Sequence, residues 1–503
     1  YEIQIPLKVS PVFVGMGTDE VWPEENTIDL SLNELYALKA QRDRESYPLT
    51  QPYPQNFKQV GRHLLRIVGR PDLSDVRLMM IGLRNPKSQG NQPLSGCLWA
   101  NELRVTDFNR QAGWAVNSMA TAKLADFATI NTAVRHTTFG FGAVSSKIAE
   151  RTRDEITSTN VSANVNVDKL IPGNTGIKIP VFVGQETTIK NPNYDPTNPD
   201  MKLAAALQAF DSEEEKKRFR DVIQDKTVSK SINFTNVRKE KVNPDAPKRI
   251  YDVENLAFSY AYSEALQTNV FMKESSQKLY KGSVAYNFAP KATGIEPFKD
   301  VNAFKSPWLK PMRDFNFSLM PSNLSFRGDI DRSFGKKMYR NGDITNYLKF
   351  FTFNRTYNLR WNFSKGLSLE YNALARANID EDEGEINTVE KRRKVRENLK
   401  RFGRMKVYEQ SVTANYTLPL DKLPATDFLG AEYRYQAGYN WSAAPLNLFN
   451  DEGKSLELGN VIKNTRDNNI TGKIDLVKLY NKVRFLKELN TPPKPQKPVK
   501  PTI

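Results

Sequence analysis

The segment Leu429-Gly-Ala-Glu-Tyr-Arg-Tyr-Gln-Ala-Gly-Tyr-Asn-Trp441 decides the fold class of this chain. Every second residue from Leu429 to Trp441 is apolar or aromatic, and none of the intervening residues is. Successive side chains of a β-strand leave opposite faces of the pleat, so the pattern predicts a strand with one apolar and one polar face. The segment is also about twice as long as the ~5–6 residues that are commonest for strands.

The same alternation recurs along the chain. Phe351–Phe363 and Leu367–Ala377 are separated only by Ser364-Lys-Gly366, which is the spacing of a hairpin with a glycine available for a positive φ. About a dozen such segments can be counted, including Ala112–Lys123, Ala128–Thr138, Thr157–Val167, Ile177–Ile189, Leu256–Tyr262, Val284–Phe288 and Tyr408–Leu418.

Long strands with an aromatic-rich face predict an antiparallel transmembrane β-barrel segment over residues 107–478. A tilted strand crosses a bilayer in ~9–11 residues, and in lipid the apolar face points outwards. The predicted lipid-facing side chains are Phe351, Phe353, Tyr357, Trp361, Tyr433, Tyr435, Tyr439 and Trp441. The predicted lumen-lining side chains are Arg360, Asn362, Glu370, Arg376, Glu432, Arg434 and Gln436. A soluble antiparallel sandwich, which also alternates, is the alternative.

Composition excludes several other classes of protein. No apolar run approaches the ~20 residues of a transmembrane helix. One cysteine, Cys97, excludes a disulfide framework, and two histidines, His63 and His136, leave little material for acid–base or zinc chemistry. Aromatic residues make up 11% of the chain, which is too many for a disordered protein, and the net charge is +16.

Both ends of the chain differ from the central region. Residues 1–106 have short strand-like runs, Ile3–Val9, Val60–Val68 and Val76–Leu83, separated by turns, and they predict a β-sandwich module of jelly-roll type with a helical turn at Asn33–Gln41. Residues 479–503 predict a short helix, Leu479–Leu489, and a Pro/Lys-rich linker. The first residues have no initiator Met or signal sequence, so we expect a mature chain or an internal piece.

Two charged insertions interrupt the predicted barrel strands, near residues 190–226 and 380–404. The first should contain a helix that begins at Asp211 or Ser212, and the second a basic helix at Val389–Phe402. We interpret the basic helix as a solvated face, or as one that meets an acidic partner or anionic lipid, rather than as a nucleic-acid site, because no aromatic–basic platform accompanies it.

The sequence offers little for catalysis or for binding a cofactor. Asp195, Asn198 and Asp200 could supply oxygen ligands to Ca²⁺, but their spacing is not that of an EF-hand and a turn is the better interpretation. We interpret His63 as a core histidine whose hydrogen bonds are satisfied. We interpret Cys97, which lies beside Trp99, as a packing residue. No nucleophile–base pair is evident. We therefore predict no catalytic, cofactor or metal site and no enzymatic activity.

Several motifs resemble the SprA/Sov family, the outer-membrane translocon of the Bacteroidetes type 9 secretion system. They are Trp22–Asn26, Met80–Asn85, Leu98–Phe108, Ala112–Val116, Lys123–Phe127, Gly176–Pro180, Asn191–Pro196 and Ser231–Arg238. The resemblance implies a very large barrel that exports folded cargo proteins, partners that cover a lateral opening and plug the pore, and a link to gliding motility or virulence-factor export. This chain is far shorter than that family's full chain, so it would form one section of the barrel.

Other functions remain open from the sequence. The chain could be a surface or scaffold protein whose β-sandwich binds glycans or a partner, or a smaller porin or TonB-type transporter. About a dozen strands could also close a small barrel by themselves.

Overall fold

The structure is a computed structural model of the chain, and it describes residues 1–10, 15, 17–86, 93, 95–107, 111–147, 150–208, 210–243, 245–290, 294–304, 306–342, 344–446 and 458–490. The predicted Pro/Lys-rich linker lies outside the described residues. The described part is mostly β, with one large antiparallel sheet and a small N-terminal unit.

The N-terminal unit, which we call the N-terminal module, is a three-stranded antiparallel sheet covered by a helix. Its elements are β1 (Glu2–Gln4), α1 (Thr18–Val21), α2 (Leu32–Arg44), β2 (Tyr53–Val60) and β3 (His63–Ile67), and the strand order is β1-β3-β2. The hydroxyl of Ser31 caps α2 by accepting the Asn33 N–H at 3.3 Å. The core consists of Leu35, Leu38, Tyr53, Leu65 and Ile67.

The predicted β-sandwich is therefore wrong in the described part of residues 1–106, where a helix supplies the cover that a second sheet would give. In the predicted runs Ile3–Val9 and Val60–Val68, only Ile3, Gln4, Val60 and His63–Ile67 are in strands. The run Val76–Leu83 has no regular structure, and Met80 is 87% exposed. The predicted helical turn is instead a helix of 13 residues. Short runs with apolar residues on both faces did not specify which surface would be covered.

The large sheet begins with strands that are connected in chain order. They are β4 (Ala115–Leu124), β5 (Ala128–Thr137), β6 (Asp154–Asn166), the two-residue β7 (Ile177–Lys178) and β8 (Pro180–Pro192). An insertion follows with β9 (Tyr194–Asp195), β10 (Asn198–Lys202), α3 (Leu203–Leu207) and α4 (Glu213–Ile223). The hydroxyl of Ser212 caps α4 by accepting the Glu214 N–H at 3.2 Å. Ser212 is one of the two residues predicted to begin this helix.

The second part of the sheet contains its longest strands, up to 18 residues. The elements are β11 (Asp225–Lys239), β12 (Leu256–Thr268), β13 (Met272–Phe288), α5 (Lys310–Arg313), β14 (Asn323–Tyr339), β15 (Thr345–Asn362), β16 (Leu367–Asn378), α6 (Val389–Lys400), β17 (Arg404–Leu418), β18 (Leu429–Ser442), β19 (Val461–Ile474), α7 (Leu476–Tyr480) and α8 (Arg484–Asn490). The single helix expected at Leu479–Leu489 is thus two short helices.

These strands form one 14-stranded antiparallel sheet in the order β19-β18-β17-β16-β15-β14-β13-β12-β11-β8-β6-β5-β4, with β7 beside β11. The predicted large antiparallel sheet is confirmed. Within the described ranges, β4 and β19 each pair on one side only, so the sheet is open and the small closed barrel is not formed.

The antiparallel order places both predicted insertions on the same rim. The β8–β11 insertion and the β16–β17 insertion, which carries α6, follow strands that run in the same direction. We call this edge the insertion rim. A third insertion between β13 and β14, with α5, lies on the opposite rim and was not predicted. In the described part of the chain, no helix combines the length and apolar character needed to cross a membrane.

Candidate functional site

The strand register places most of the apolar residues of the strands on one face of the sheet, with exceptions such as Leu348 and Phe350 on the other face. Directly paired residues of antiparallel strands have side chains on the same side of the sheet. Trp361 pairs with Leu369, Leu369 with Ala414, and Ala414 with Tyr435. The same rule links the other strands through the pairs Tyr357↔Phe326, Phe326↔Tyr286, Tyr262↔Ile232, Ile232↔Val183, Val183↔Ala163, Ala163↔Ile130 and Ile130↔Ala122. We call this side the apolar face and the other the polar face.

The two sets of residues predicted for the site fall on opposite faces. Side chains on the apolar face are Phe351, Phe353, Tyr357, Trp361, Tyr433, Tyr435, Tyr439 and Trp441. Those on the polar face are Arg360, Asn362, Glu370, Arg376, Glu432, Arg434 and Gln436. Each set therefore shares one face of the sheet, and contact with lipid or with a lumen stays a prediction.

The apolar face has aromatic contacts in the plane of the sheet and no second sheet against it in the described residues. Ring centroids of Phe326 and Tyr357 are 5.1 Å apart, and Trp361 stacks on Phe363 at 4.5 Å. Phe258 on this face is 47% exposed. A soluble sandwich would bury such residues against a second sheet.

The polar face divides into two regions. From β6 to β12 it carries mainly hydroxyl, amide and small side chains, and Ser162, Gly184, Ser231 and Ser263 line a shallow cavity of about 300 Å³. From β14 to β19 it carries both signs of charge, as in the Arg327–Asp329 pair at 2.8 Å.

The β16–β17 insertion, residues 379–403, folds over the apolar face at the insertion rim, and we call it the clasp. Glu381 accepts a hydrogen bond from Arg332 Nε at 2.6 Å, and Lys349 Nζ donates to the Asp382 carbonyl at 2.6 Å. Lys336 Nζ lies 3.0 Å from a Glu385 carboxylate oxygen. The clasp thus neutralises basic side chains that interrupt the apolar face near this rim.

Sequence reasoning missed this contact, although a signal was present. Arg332, Lys349 and Arg355 occupy positions of their strands that point to the apolar face. On this face of β15, Lys349 and Arg355 lie on either side of Phe351 and Phe353, so they interrupt the run of apolar side chains. A charge at such a position is expensive in lipid unless it is paired, and it therefore points to a covering segment.

The clasp is held at both of its ends. Ile379 is 3% exposed, and Phe402 stacks on Phe353 with centroids 5.9 Å apart. Arg404 donates two hydrogen bonds to the Asp380 carboxylate, at 2.9 and 2.7 Å, and these hold the pKa of Asp380 below its ordinary value. Asp380 is therefore ionised at neutral pH.

The N-terminal module is joined to the β8–β11 insertion by a buried ion pair. Lys39 Nζ lies 2.7 Å from Asp200 Oδ1, and the other carboxylate oxygen accepts the Leu73 N–H at 3.3 Å. Lys39 also donates to the Pro71 carbonyl at 3.0 Å, and Arg44 donates to the Gln208 carbonyl at 3.1 Å. The module therefore lies at the insertion rim.

The candidate Ca²⁺ ligands are engaged by groups of the protein itself. Asp195 accepts hydrogen bonds from Thr197 and from the Asn198 amide, and Asp200 is bound by Lys39. This is the turn that the sequence favoured. Among the described residues, no cluster of three or more His, Cys, Asp and Glu side chains is arranged for a metal ion.

His63, Cys97 and His136, which were also considered in the sequence, do not lie together in one site. His63 is buried in the module as expected, but its Nε2 has no hydrogen-bond partner, so it is not fully satisfied. Cys97 is exposed and Trp99 is 78% exposed, so the packing interpretation is wrong. His136 lies on the apolar face, with Nδ1 2.9 Å from the Thr157 hydroxyl.

The structure explains why the motif Gly176–Pro180 begins with a glycine. Gly176 has φ +70°, and its carbonyl accepts the Glu240 N–H at 2.7 Å. A Cβ at this position would lie 2.2 Å from the Glu240 carbonyl oxygen. The motif Gly176–Pro180 therefore encodes the close approach by which β7 pairs with β11.

Comparison with known families gives one match. The model of a family described as motility related/secretion protein, SprA_N, matches residues 1–207. These residues comprise the N-terminal module, β4 to β10 and α3. No curated protein matches the chain. The match confirms the resemblance noted from the sequence motifs and indicates a protein related to secretion or motility.

Proposed function

We propose that this chain, which belongs to the SprA family of motility and secretion proteins, is a section of the outer-membrane channel that exports folded cargo in the type 9 secretion system. Family membership rests on residues 1–207. One observation carries the rest: the 14-stranded sheet has one mainly apolar face, one mainly polar face and two edges that are unpaired in the described residues.

The lengths of the strands support a bilayer location. Strands β13, β14 and β15 have 17, 17 and 18 residues. At ~3.4 Å per residue, each is long enough to cross a hydrocarbon layer of ~30 Å even when it is tilted. With the apolar face outwards, the aromatic side chains contact lipid and the polar face lines water.

The two unpaired edge strands, β4 and β19, support the proposal that this sheet is one part of a barrel wall that further strands complete. An unpaired backbone N–H or C=O in hydrocarbon costs several kcal/mol, so β4 and β19 need neighbours in a membrane. Because the diameter of a barrel grows roughly linearly with the number of strands, a wall extended far beyond 14 strands would widen the lumen towards the size of a folded domain. The whole barrel would then close through strands outside this sheet.

The polar face suits a passive conduit. It exposes both signs of charge, with Arg360 opposite Glu370 on neighbouring strands, beside a region rich in serine. Such a surface is hydrated and binds a passing protein weakly. We propose no enzymatic activity and no cofactor. The partners are folded cargo proteins, gate and plug proteins of the secretion system, and outer-membrane lipid, with no nucleic acid.

Fractionation of cells that express the full chain tests the proposal. We expect the chain in the outer-membrane fraction, extractable by detergent but not by high salt or carbonate. Recovery as a soluble monomer without detergent would overturn it. The alternative of a glycan-binding β-sandwich loses its basis because residues 1–106 do not form that sandwich in the described part of the chain.

A further inference from the structure

We propose that the basic end of the clasp binds the phosphate groups of anionic lipids at the insertion rim. The proposal rests on the proposed function, because it requires the apolar face to contact lipid. The residues concerned are Arg396, Lys400 and Arg401, at the end of α6 and just after it.

Five of the seven acidic side chains of the clasp pair with other basic side chains, and Glu383 and Glu390 are the other two. Asp380 binds Arg404, Glu381 binds Arg332, and Glu385 binds Lys336. Asp382 pairs with Lys394, and Glu397 lies 3.9 Å from Arg393. These five carboxylates are thus paired with cations other than Arg396, Lys400 and Arg401.

Three of the five remaining basic side chains lie at the end of α6, whereas Lys391 and Arg392, near its beginning, donate hydrogen bonds to backbone carbonyls. Arg396, Lys400 and Arg401 have no carboxylate partner in the part of the chain that the structure describes, and all three are solvent-exposed. They lie within six consecutive residues, at the end of α6 and at the residue that follows it. Over the whole clasp the seven acidic and seven basic side chains balance, but Arg396, Lys400 and Arg401 form a local positive surface at the end of α6.

The position of this surface identifies its ligand. Phe402 directly follows Arg401, stacks on Phe353 of the apolar face and is 54% exposed. An aromatic ring on an apolar face beside flexible basic side chains is the arrangement found at a membrane–water interface, where the ring lies at headgroup depth and the cations reach phosphates. An acidic protein would supply charge but would leave Phe402 and the neighbouring apolar surface uncovered.

The test uses the full chain reconstituted into vesicles of phosphatidylcholine, with or without phosphatidylglycerol. Native mass spectrometry of the detergent-extracted protein then compares retained phosphatidylglycerol with retained phosphatidylcholine. The test variant is Arg396→Ser/Lys400→Ser/Arg401→Ser. The control variant, Lys123→Ser/Lys463→Ser/Lys473→Ser, removes the same charge from exposed lysines of the polar face.

We expect the preference for phosphatidylglycerol to fall about fivefold for each basic residue removed from the clasp, and to be unchanged in the control. Equal preference in wild type and test variant, or an equal loss in the control, overturns the lipid site. So does binding of soluble polyglutamate in place of phosphatidylglycerol. Failure of the wild-type chain to enter either kind of vesicle instead overturns the proposed function, so the two failures are distinguishable.

Discussion

Lys39 and Asp200 are 161 positions apart in the sequence, yet they form an ion pair of 2.7 Å whose side chains are only 2% and 0% exposed. The pair joins α2 of the N-terminal module to β10 of the first insertion. Because Leu73 and Pro71 satisfy further hydrogen bonds of the two groups, the module is fixed at the insertion rim by a polar contact that water does not reach.

Removing one partner of this pair should release the module. Lys39→Ala leaves the Asp200 carboxylate buried and uncompensated, which costs ~3–5 kcal/mol. Thermal unfolding combined with limited proteolysis of residues 46–75 measures the effect. The control is Lys8→Ala, which breaks an exposed pair with Glu25 and should cost at most ~1 kcal/mol. A similar, small loss in both variants would contradict the role of the buried pair.

Two adjacent residues of β18 test which face contacts lipid. Tyr435 lies on the apolar face between Ala414 and Asn468, and Gln436 lies on the polar face between Thr413 and Asp467. Tyr435→Arg should impair assembly by up to ~2–4 kcal/mol if the residue is near the bilayer midplane. Gln436→Arg should be tolerated.

The amount of assembled, protease-resistant protein in the outer-membrane fraction measures both variants. The adjacent positions share the same strand, expression level and depth, so the comparison isolates the direction of the side chain. Equal tolerance of the two substitutions would contradict the assigned faces.

The large sheet was predictable because the alternation of apolar and polar residues that specifies it is visible within each strand. Each strand shows its two faces within a dozen residues, and short links such as Ser364–Gly366 fix which strands are neighbours. The clasp was partly predictable, since Arg332 and Arg355 break the apolar pattern. Which segment covers them depends on tertiary contacts that the pattern does not contain.

The N-terminal module was not predictable in the same way. Its helix buries Lys39 and Arg42, which are 2% and 1% exposed, and a charged residue on a helix ordinarily indicates a solvated face. Its burial depends on Asp200, far along the chain, and on the Gly69 carbonyl that Arg42 binds. Periodicity carries no information about such distant partners.

Gly403 should be essential for closing the clasp. It has φ +72°, and a Cβ there would lie 2.6 Å from the Asn378 carbonyl oxygen. Gly403→Ala therefore adds a steric clash with the backbone to the ~1–2 kcal/mol cost of the left-handed conformation. Trypsin should then cleave the basic residues of the clasp faster than in the wild type.

Gly384→Ala is the matched control within the same segment. Gly384 has φ +73°, but the nearest atom to an added Cβ is the flexible Lys391 Nζ at 4.0 Å. This variant carries the conformational cost without the clash, so it should be cleaved more slowly than Gly403→Ala. Equal cleavage of the two would show that the approach to Asn378 does not hold the clasp.

Glu296, in the insertion on the opposite rim, should titrate far below an ordinary glutamate. Its carboxylate lies 2.8 Å from Lys299 Nζ and 2.6 Å from Lys365 Nζ, and these contacts lower its pKa to about 2. Because the folded-state pKa is depressed, the stabilising effect is complete above the ordinary value of 4.5 and is lost as the pH falls through about 2.

Carbon-13 NMR of glutamate carboxyls in the detergent-solubilised chain measures this titration. Lys365→Ser should raise the midpoint of Glu296 towards 4.5, because one of its two cations is removed. Lys310→Ser, which changes an exposed lysine in the same insertion, should leave the midpoint unchanged. A wild-type midpoint near 4.5 would mean that Lys365 and Glu296 do not tie this insertion to the turn between β15 and β16.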